Sequence, residues 1–385
     1  MPSRPDADAA YAAQSRALDE EILGVITGWH DRGAAFEEEA FNDLALRLLE
    51  YQLRYDRPYA RYCASFGIAS SALPRWWQDI PPVPAAAFKD AALATFDSSN
   101  AALAFETSGT TAGRPGRHFF ETPALYDAAL LAAFDRFMLP DGARLRYLNL
   151  VPDPTHHSGS SLGYMMQQVG RARGARETGW YLRGEGIAFD AFVADLRAAI
   201  ADEAPVCVAA TAFALVRVLD LLDRERLRLG LPNGSRVMET GGFKGRARTL
   251  ERDDLYRRIA RSFGIRQDAI VAEYGMTELT TQYYDDVLIR HPSSGSAAVR
   301  RKLAPPWLRT RVVGPDGKTL PSGTVGALVH IDLANRSSCL AIATEDLGAQ
   351  FDPSNDPDEP AGLVLIGRER GAALRGCSLD AESLH

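Results

Sequence analysis

The chain has 385 residues, 46% apolar and 24% charged, which excludes a disordered, collagen-like or membrane-embedded protein and allows two or three domains or one large one. Its 43 Lys and Arg against 50 Asp and Glu leave a net charge of −7 with no basic block that could track a phosphate backbone, so nucleic acid is not the expected partner. Four cysteines, Cys63, Cys207, Cys339 and Cys377, stand far apart in no metal-ligand spacing, and reduced thiols are the expectation. The polar N-terminus lacks the basic-then-apolar order of a signal peptide, and no apolar run approaches the roughly 20 residues of a spanning helix, so a cytoplasmic protein is expected.

Residues 1–100 read mostly as helix: an Ala-rich stretch to about Asp31, then Phe36 to Tyr55 with Phe41, Leu44, Leu48 and Tyr51 on one face. Proline fixes φ and removes amide donors, so Pro81 to Pro84 is stiff and extended and ends this region. Between residues 101 and 304 short apolar runs alternate with amphipathic helical patterns, the signature of an α/β architecture with largely parallel, buried strands. Residues 305–366 change to strand-rich sequence broken by Gly, Pro and Asp turns, which predicts a small β-barrel-like subdomain. A short tail, 367–385, carries Cys377.

The densest chemical signal runs from Thr107 to Arg117 (TSGTTAGRPGR). Four hydroxyls, three glycines and the two arginines Arg114 and Arg117 within eleven residues supply converging amides, hydroxyl donors and positive charge, as an anion cradle requires. A generic stretch of this kind is more often a surface loop, and no Gly-Lys-Ser/Thr follows as in a Walker A loop. A second signal is the apolar strand that runs into Tyr274-Gly275-Met276-Thr277-Glu278, because open α/β sheets bind ligands beyond the carboxyl ends of their strands. Glu278 is either a Mg²⁺ ligand or an ordinary carboxylate at a helix start. A third is Glu239 to Lys244, again a strand and then glycines, where Gly241 and Gly242 taken singly read as a turn.

Taken in order, Thr107-Ser108-Gly109-Thr110-Thr111, Gly241-Gly242, Tyr274 to Glu278, Trp307-Leu-Arg-Thr-Arg311, Ala343-Thr-Glu-Asp346 and Gly367-Arg368 resemble the motif series of the adenylate-forming superfamily of acyl-CoA synthetases and adenylation domains, over about residues 105 to 377. The resemblance implies an ATP-using enzyme. The Thr107 to Arg117 loop would orient the phosphates, Gly241 and Gly242 with Tyr274 would flank adenine, Gly275 would belong to the same nucleotide site, Thr277 would touch the α-phosphate, Glu278 would hold Mg²⁺ and Asp346 the ribose hydroxyls. Arg368 would stand at the hinge to a C-terminal domain; the chain stops at His385, so the resemblance implies that this domain and its lysine are absent. His156 and His157 match a position between nucleotide and acyl pockets, or form an exposed loop pair. Tyr164, Met165, Phe213 and Phe243 are candidates for the acyl pocket.

The segment from Gly367 through Cys377 and the Gly241-Gly242-Phe243-Lys244 motif look like those of the LuxE-type acyl-protein synthetases of bacterial bioluminescence operons. That resemblance implies that Cys377 takes the acyl group from the adenylate and passes it to a partner such as an acyl reductase, with Arg370 or Arg375 stabilising the thiolate, the attacking form. Lys244 is the candidate to replace the absent lysine. The alternatives are an adenylating ligase that delivers to CoA, an amine or a carrier protein without acyl-cysteine, and a catalytically silent binder of nucleotide or aromatic acid.

Overall fold

The computed structural model describes residues 4–107, 114–184, 186–241, 252–290, 300–352 and 361–368. The chain divides into two compact units, one comprising the residues up to Ala132, Met276–Gln282 and those from Ala304 onward, the other Ala133–Gly275 and Tyr283–Leu303.

The first unit begins with three helices. In α1 (Arg4–Arg32) the buried residues Ser15, Leu18, Ile22 and Ile26 recur every three or four positions. Helix α2 (Glu38–Tyr55) buries Phe41, Leu44, Leu48 and Tyr51, the face its periodicity predicts. Asp56 caps α3 (Arg57–Ala64) by accepting the Tyr59 amide at 2.9 Å. After Pro81 and Pro82, β1 (Val83–Pro84) is extended, as a residue that precedes a proline is biased to be. An antiparallel hairpin follows, β2 (Leu103–Glu106) with β3 (Arg117–Phe120), and the division between the units falls within α4 (Ala124–Met138).

The second unit alternates strand and helix: β4 (Arg146–Leu150), α5 (Ser161–Arg173), β5 (Gly179–Trp180), the small ribbon β6 (Leu182–Arg183) and β7 (Gly186–Ile187), α6 (Phe189–Ala201), β8 (Val206–Thr211), α7 (Ala212–Arg224), β9 (Arg236–Thr240), α8 (Arg252–Phe263), β10 (Ile270–Tyr274), β11 (Tyr283–Asp285) and β12 (Lys302–Leu303). Its strands lie in the order β12-β11-β10-β9-β8-β4-β5, parallel from β10 to β5 and antiparallel at β11 and β12. Alternate residues of the strands, Leu148 and Leu150, Val206, Val208 and Ala210, join Phe192, Leu196, Leu215, Leu219, Ile259 and Phe263 of α6, α7 and α8 in one core, as the two-residue period of a strand requires. Every residue of β9 and β10 is buried, the mark of central parallel strands.

The strands after residue 305 return to the first unit: β13 (Leu308–Val313), β14 (Gly326–Asp332), β15 (Ala341–Phe351) and β16 (Gly362–Arg368) form an antiparallel meander, with β1 parallel to β15. No helix among the described residues is long and apolar enough to cross a membrane.

Between β14 and β15, Arg336 lies 1% exposed in its side chain and ties down the N-terminal helices: it donates to both carboxylate oxygens of Asp19 on α1 at 2.8 and 3.0 Å, to Glu121 at 2.6 Å and to the Tyr51 hydroxyl on α2 at 3.2 Å. Removing a buried cation leaves its carboxylates unpaired, at a cost moderated here by the partial exposure of Asp19 and Glu121. Arg336→Met should therefore lower the urea unfolding free energy by about 3 kcal/mol. A change within ~0.5 kcal/mol would show that the cluster does not hold the helices.

Candidate active site

The strands β2 and β3 bracket the Thr107 to Arg117 segment in sequence, and of it Thr107 and residues 114–117 are described. The Thr107 amide donates to the Gly116 carbonyl at 2.8 Å, and the Gly116 amide donates to the Thr107 hydroxyl at 2.9 Å, so the base of the loop closes on itself. A Cβ on Gly116 would lie 3.0 Å from the Phe88 backbone, which explains a glycine at this crossing. Arg114 and Arg117 are exposed, and Arg117 lies 3.6 Å from Glu106 across the hairpin. Ser108, Gly109, Thr110 and Thr111 lie outside the described residues.

Beside the hairpin base stands Thr277. Its hydroxyl donates to the Glu106 carbonyl at 3.4 Å, and its own carbonyl accepts from Nδ1 of the buried His118 on β3 at 2.9 Å. A carbonyl can only accept, so Nδ1 carries the proton and Nε2 is the bare nitrogen, buried without a partner among the described residues. Burial pulls the imidazole down to about 4 against the pull of the Thr277 carbonyl, so His118 is neutral at physiological pH.

The segment Met276–Gln282 is held from behind by two residues of the β14–β15 region. Asp332 Oδ2 accepts the Thr280 and Thr281 amides at 3.0 and 2.9 Å, and Oδ1 accepts the Thr281 hydroxyl at 2.9 Å and the Ala334 amide at 3.0 Å. The Thr281 hydroxyl in turn accepts Trp307 Nε1 at 2.9 Å. Asn335 accepts the Thr280 amide at 2.8 Å and donates to the Glu278 carbonyl at 2.9 Å. Burial pushes the Asp332 carboxyl up to about 6 despite these donors, which leaves it ionised at neutral pH. Glu278 is 8% exposed. Among the described residues no three His, Cys, Asp or Glu form a metal-binding group.

In the second unit the predicted residues gather at the carboxyl edge of the parallel strands. Tyr274 ends β10, buried and 5.5 Å from the Tyr283 ring, and Gly275 follows it, exposed. Gly241 follows β9 with φ +72°, a left-handed conformation that favours glycine. His156 and His157 follow β4 in an exposed turn in which both amides donate to the Asp153 carbonyl, at 3.0 and 2.9 Å. The start of α5 is pressed against this turn: a Cβ on Gly163 would lie 2.4 Å from the Pro152 carbonyl oxygen. Met165 is buried on α5, while Tyr164 and Phe213 are partly exposed. At the same edge Thr240 on β9 donates to Glu273 on β10, whose carboxyl burial raises to about 7. Behind it, burial would raise Asp285, but Lys302 at 3.0 Å and Arg300 at 3.0 Å outweigh burial and hold it below the ordinary carboxylate range.

On the meander, Asp346 is half-buried and directly opposite Arg368 in the β15–β16 ladder, and its amide donates to the Thr344 hydroxyl at 3.1 Å. Cys63, Cys207 and Cys339 are buried free thiols, as their apolar contexts predict. Gly242, Phe243, Lys244, Arg370, Arg375 and Cys377 lie outside the described residues, as does the side chain of Arg368. The residues that sequence reasoning did not single out are His118, Asp332 and Asn335; the only local hint was a histidine between Arg117 and two phenylalanines in an otherwise apolar strand.

An unfolded imidazole titrates near 6.5 and folded His118 at about 4, so the unfolded chain binds more protons in that window. The stability due to its neutral burial is complete above the upper value and lost as pH falls toward the lower one. The difference in unfolding free energy between the wild type and His118→Phe, which keeps a ring beside Phe88 and Phe120, should change by up to about 3 kcal/mol over that range, and a constant difference would refute the assignment. Asp332→Asn must turn an amide NH₂ toward N–H donors whichever way it faces. It should cost about 2 kcal/mol in urea unfolding, and an unchanged midpoint would count against the anchoring role.

The family model "Acyl-protein synthetase, LuxE" matches residues 34–384. No curated protein matches the sequence. Among solved structures, the chain is similar to 2-hydroxyisobutyryl-CoA ligase in an open conformation with 2-HIB-AMP and CoA, with TM-score 0.61 and 14% identity over 87% of this chain and 71% of that one. The same ligase in its thioesterification state gives 0.60 and 16% over 88% and 70%. ATP-bound MatB from Rhodopseudomonas palustris is similar at TM-score 0.47 and 19% identity over 71% of this chain, which spans 49% of that one. At these identities the likeness to the 2-hydroxyisobutyryl-CoA ligase is one of fold alone. The family match, which runs over nearly the whole sequence, goes further: the chain belongs to the LuxE acyl-protein synthetase family.

Proposed function

We propose that this acyl-protein synthetase family member, an ATP-dependent carboxylate ligase, activates a fatty or aromatic acid as its acyl-adenylate and then carries the acyl group on Cys377. The observation that supports the reading is that Thr277 bonds to the Glu106 carbonyl and to His118, on the two strands from which the glycine- and hydroxyl-rich sequence departs and to which it returns.

In this reading the substrate carboxylate attacks the α-phosphorus of ATP, a bond from its oxygen to phosphorus forms, and the bond to pyrophosphate breaks. The Thr107 to Arg117 loop, with its exposed Arg114 and Arg117, takes up the charge that moves onto pyrophosphate. Thr277 steadies the α-phosphate, and Glu278 holds Mg²⁺, which supplies further charge neutralisation when bound. Tyr274 and the Gly241-Gly242 turn flank adenine, Asp346 takes the ribose hydroxyls, and Lys244 steadies the carboxylate. His156, His157 and Phe243 border the acid, and Arg368 opens the tail that carries Cys377. The Cys377 thiolate then attacks the acyl carbon, the thioester forms and AMP leaves. A protein acceptor, with an acyl reductase as the first candidate, collects the acyl group.

Exchange of labelled pyrophosphate into ATP should require a carboxylic acid, and Glu278→Gln should slow it about a hundredfold. Intact mass after incubation with Mg²⁺, ATP and a pool of fatty and aromatic acids should show a hydroxylamine-labile gain on the wild type and none on Cys377→Ser, with exchange intact in that variant. No exchange with any acid would overturn adenylation. Exchange without the mass gain would remove the cysteine step and leave an external acceptor.

A further inference from the structure

A cavity of about 390 Å³ opens within the first unit, away from Thr107, Thr277 and Glu278, none of which lines it. Its walls are apolar over Ile80, Pro81, Pro82, Val313, Ala327 and Val329, and Phe66, 41% exposed, stands at its lip. One cation reaches into it from β13. Arg311 donates from Nε to the Thr319 hydroxyl at 3.0 Å, from one terminal nitrogen to the Gly317 carbonyl at 3.2 Å and from the other to the Gln78 carbonyl. All three acceptors are neutral, and among the described residues no carboxylate lies within ion-pair distance of Arg311. A guanidinium has five N–H groups, so one donor on each terminal nitrogen is left over. Burial pulls Arg311 below its ordinary range, only partly offset by the charge of Asp79, so an incoming anion would relieve a standing electrostatic cost.

We infer that this cavity is a binding site for a monoanionic carboxylate with an apolar body, its carboxylate on Arg311 and its body against Ile80, Val313 and Val329. A guanidinium with one spare donor on each terminal nitrogen matches a carboxylate's two oxygens. Asp79 and Asp316 also line the cavity, Asp316 paired with Lys318 at 3.6 Å, so the ligand carries no more than the single negative charge that Arg311 can match. The apolar lining and the exposed ring at the mouth account for the rest of the ligand. Ala343 and Thr344, which precede Asp346 and of which Thr344 accepts its amide, also line the cavity, so the site is tested without ATP.

The test is a titration of the full chain, labelled at Ile, Leu, Val and Met methyl groups, with octanoate and with octanamide. Octanoate should shift the methyls of Ile80, Val313 and Val329 in a saturable way, with octanamide at least about tenfold weaker because it lacks the charge. Arg311→Met should abolish these shifts while the remaining methyl spectrum stays that of the wild type. The inference is overturned if octanoate shifts Met165 alone, if octanamide binds as well as octanoate, or if Arg311→Met leaves the response unchanged. Should Arg311→Met fail to fold, the comparison of octanoate with octanamide on the wild type decides.

Discussion

The candidate chemistry hangs on one buried carboxylate. Asp332 gathers two consecutive backbone amides, a third amide and a hydroxyl, and with Asn335 it satisfies the polar groups of a segment that has no secondary structure of its own. Irregular backbone in a protein interior is costly unless each N–H and C=O finds a partner, and here the partners come from some fifty residues away in sequence. Thr277 and Glu278 are therefore presented by a loop with one defined shape. His118 fixes the same loop from the other side through the Thr277 carbonyl, and its low basicity keeps a second charge out of the site.

The parallel sheet of the second unit works by a different constraint. Its central strands are buried on both faces, so only their ends can meet solvent, and the carboxyl end is where the turns after β4, β9 and β10 emerge together. Holding that edge in register needs more than apolar packing. The bond from Thr240 to Glu273 ties β9 to β10 near their ends, and the Asp285 cluster with Lys302 and Arg300 joins β11 and β12 to the backbone of β10. A buried ion cluster of this kind adds little net stability but penalises a slipped register, because any shift leaves a charge unpaired.

Much of this was legible locally. Apolar runs such as Ile270 to Tyr274 announce buried strands, and the spacing of Phe41, Leu44, Leu48 and Tyr51 announces the inner face of a helix, because burial leaves a periodic imprint on neighbouring residues. The glycine after β9 is equally readable, since a left-handed turn all but demands it. What no local pattern conveys is pairing over long separations. Arg336 reads as one more arginine in a polar loop until its partners on α1 and α2 are known, and Asn335 gives no hint that it receives the Thr280 amide.

The Tyr274 to Glu278 motif illustrates why the two kinds of information differ. It reads as one continuous string, yet Tyr274 and Gly275 belong to the parallel-sheet unit and Met276 onward to the unit that holds the hairpin. The strand residues are set by the sheet, and the loop residues by Asp332, Asn335 and His118. A substitution in Tyr274 therefore acts through packing against Tyr283, whereas one in Thr280 or Thr281 acts through the side-chain hydrogen bonds to Asn335 and Asp332, although only six or seven positions separate them. Contiguity in the motif reflects the function it is read for, while the forces that shape it come from separate parts of the chain.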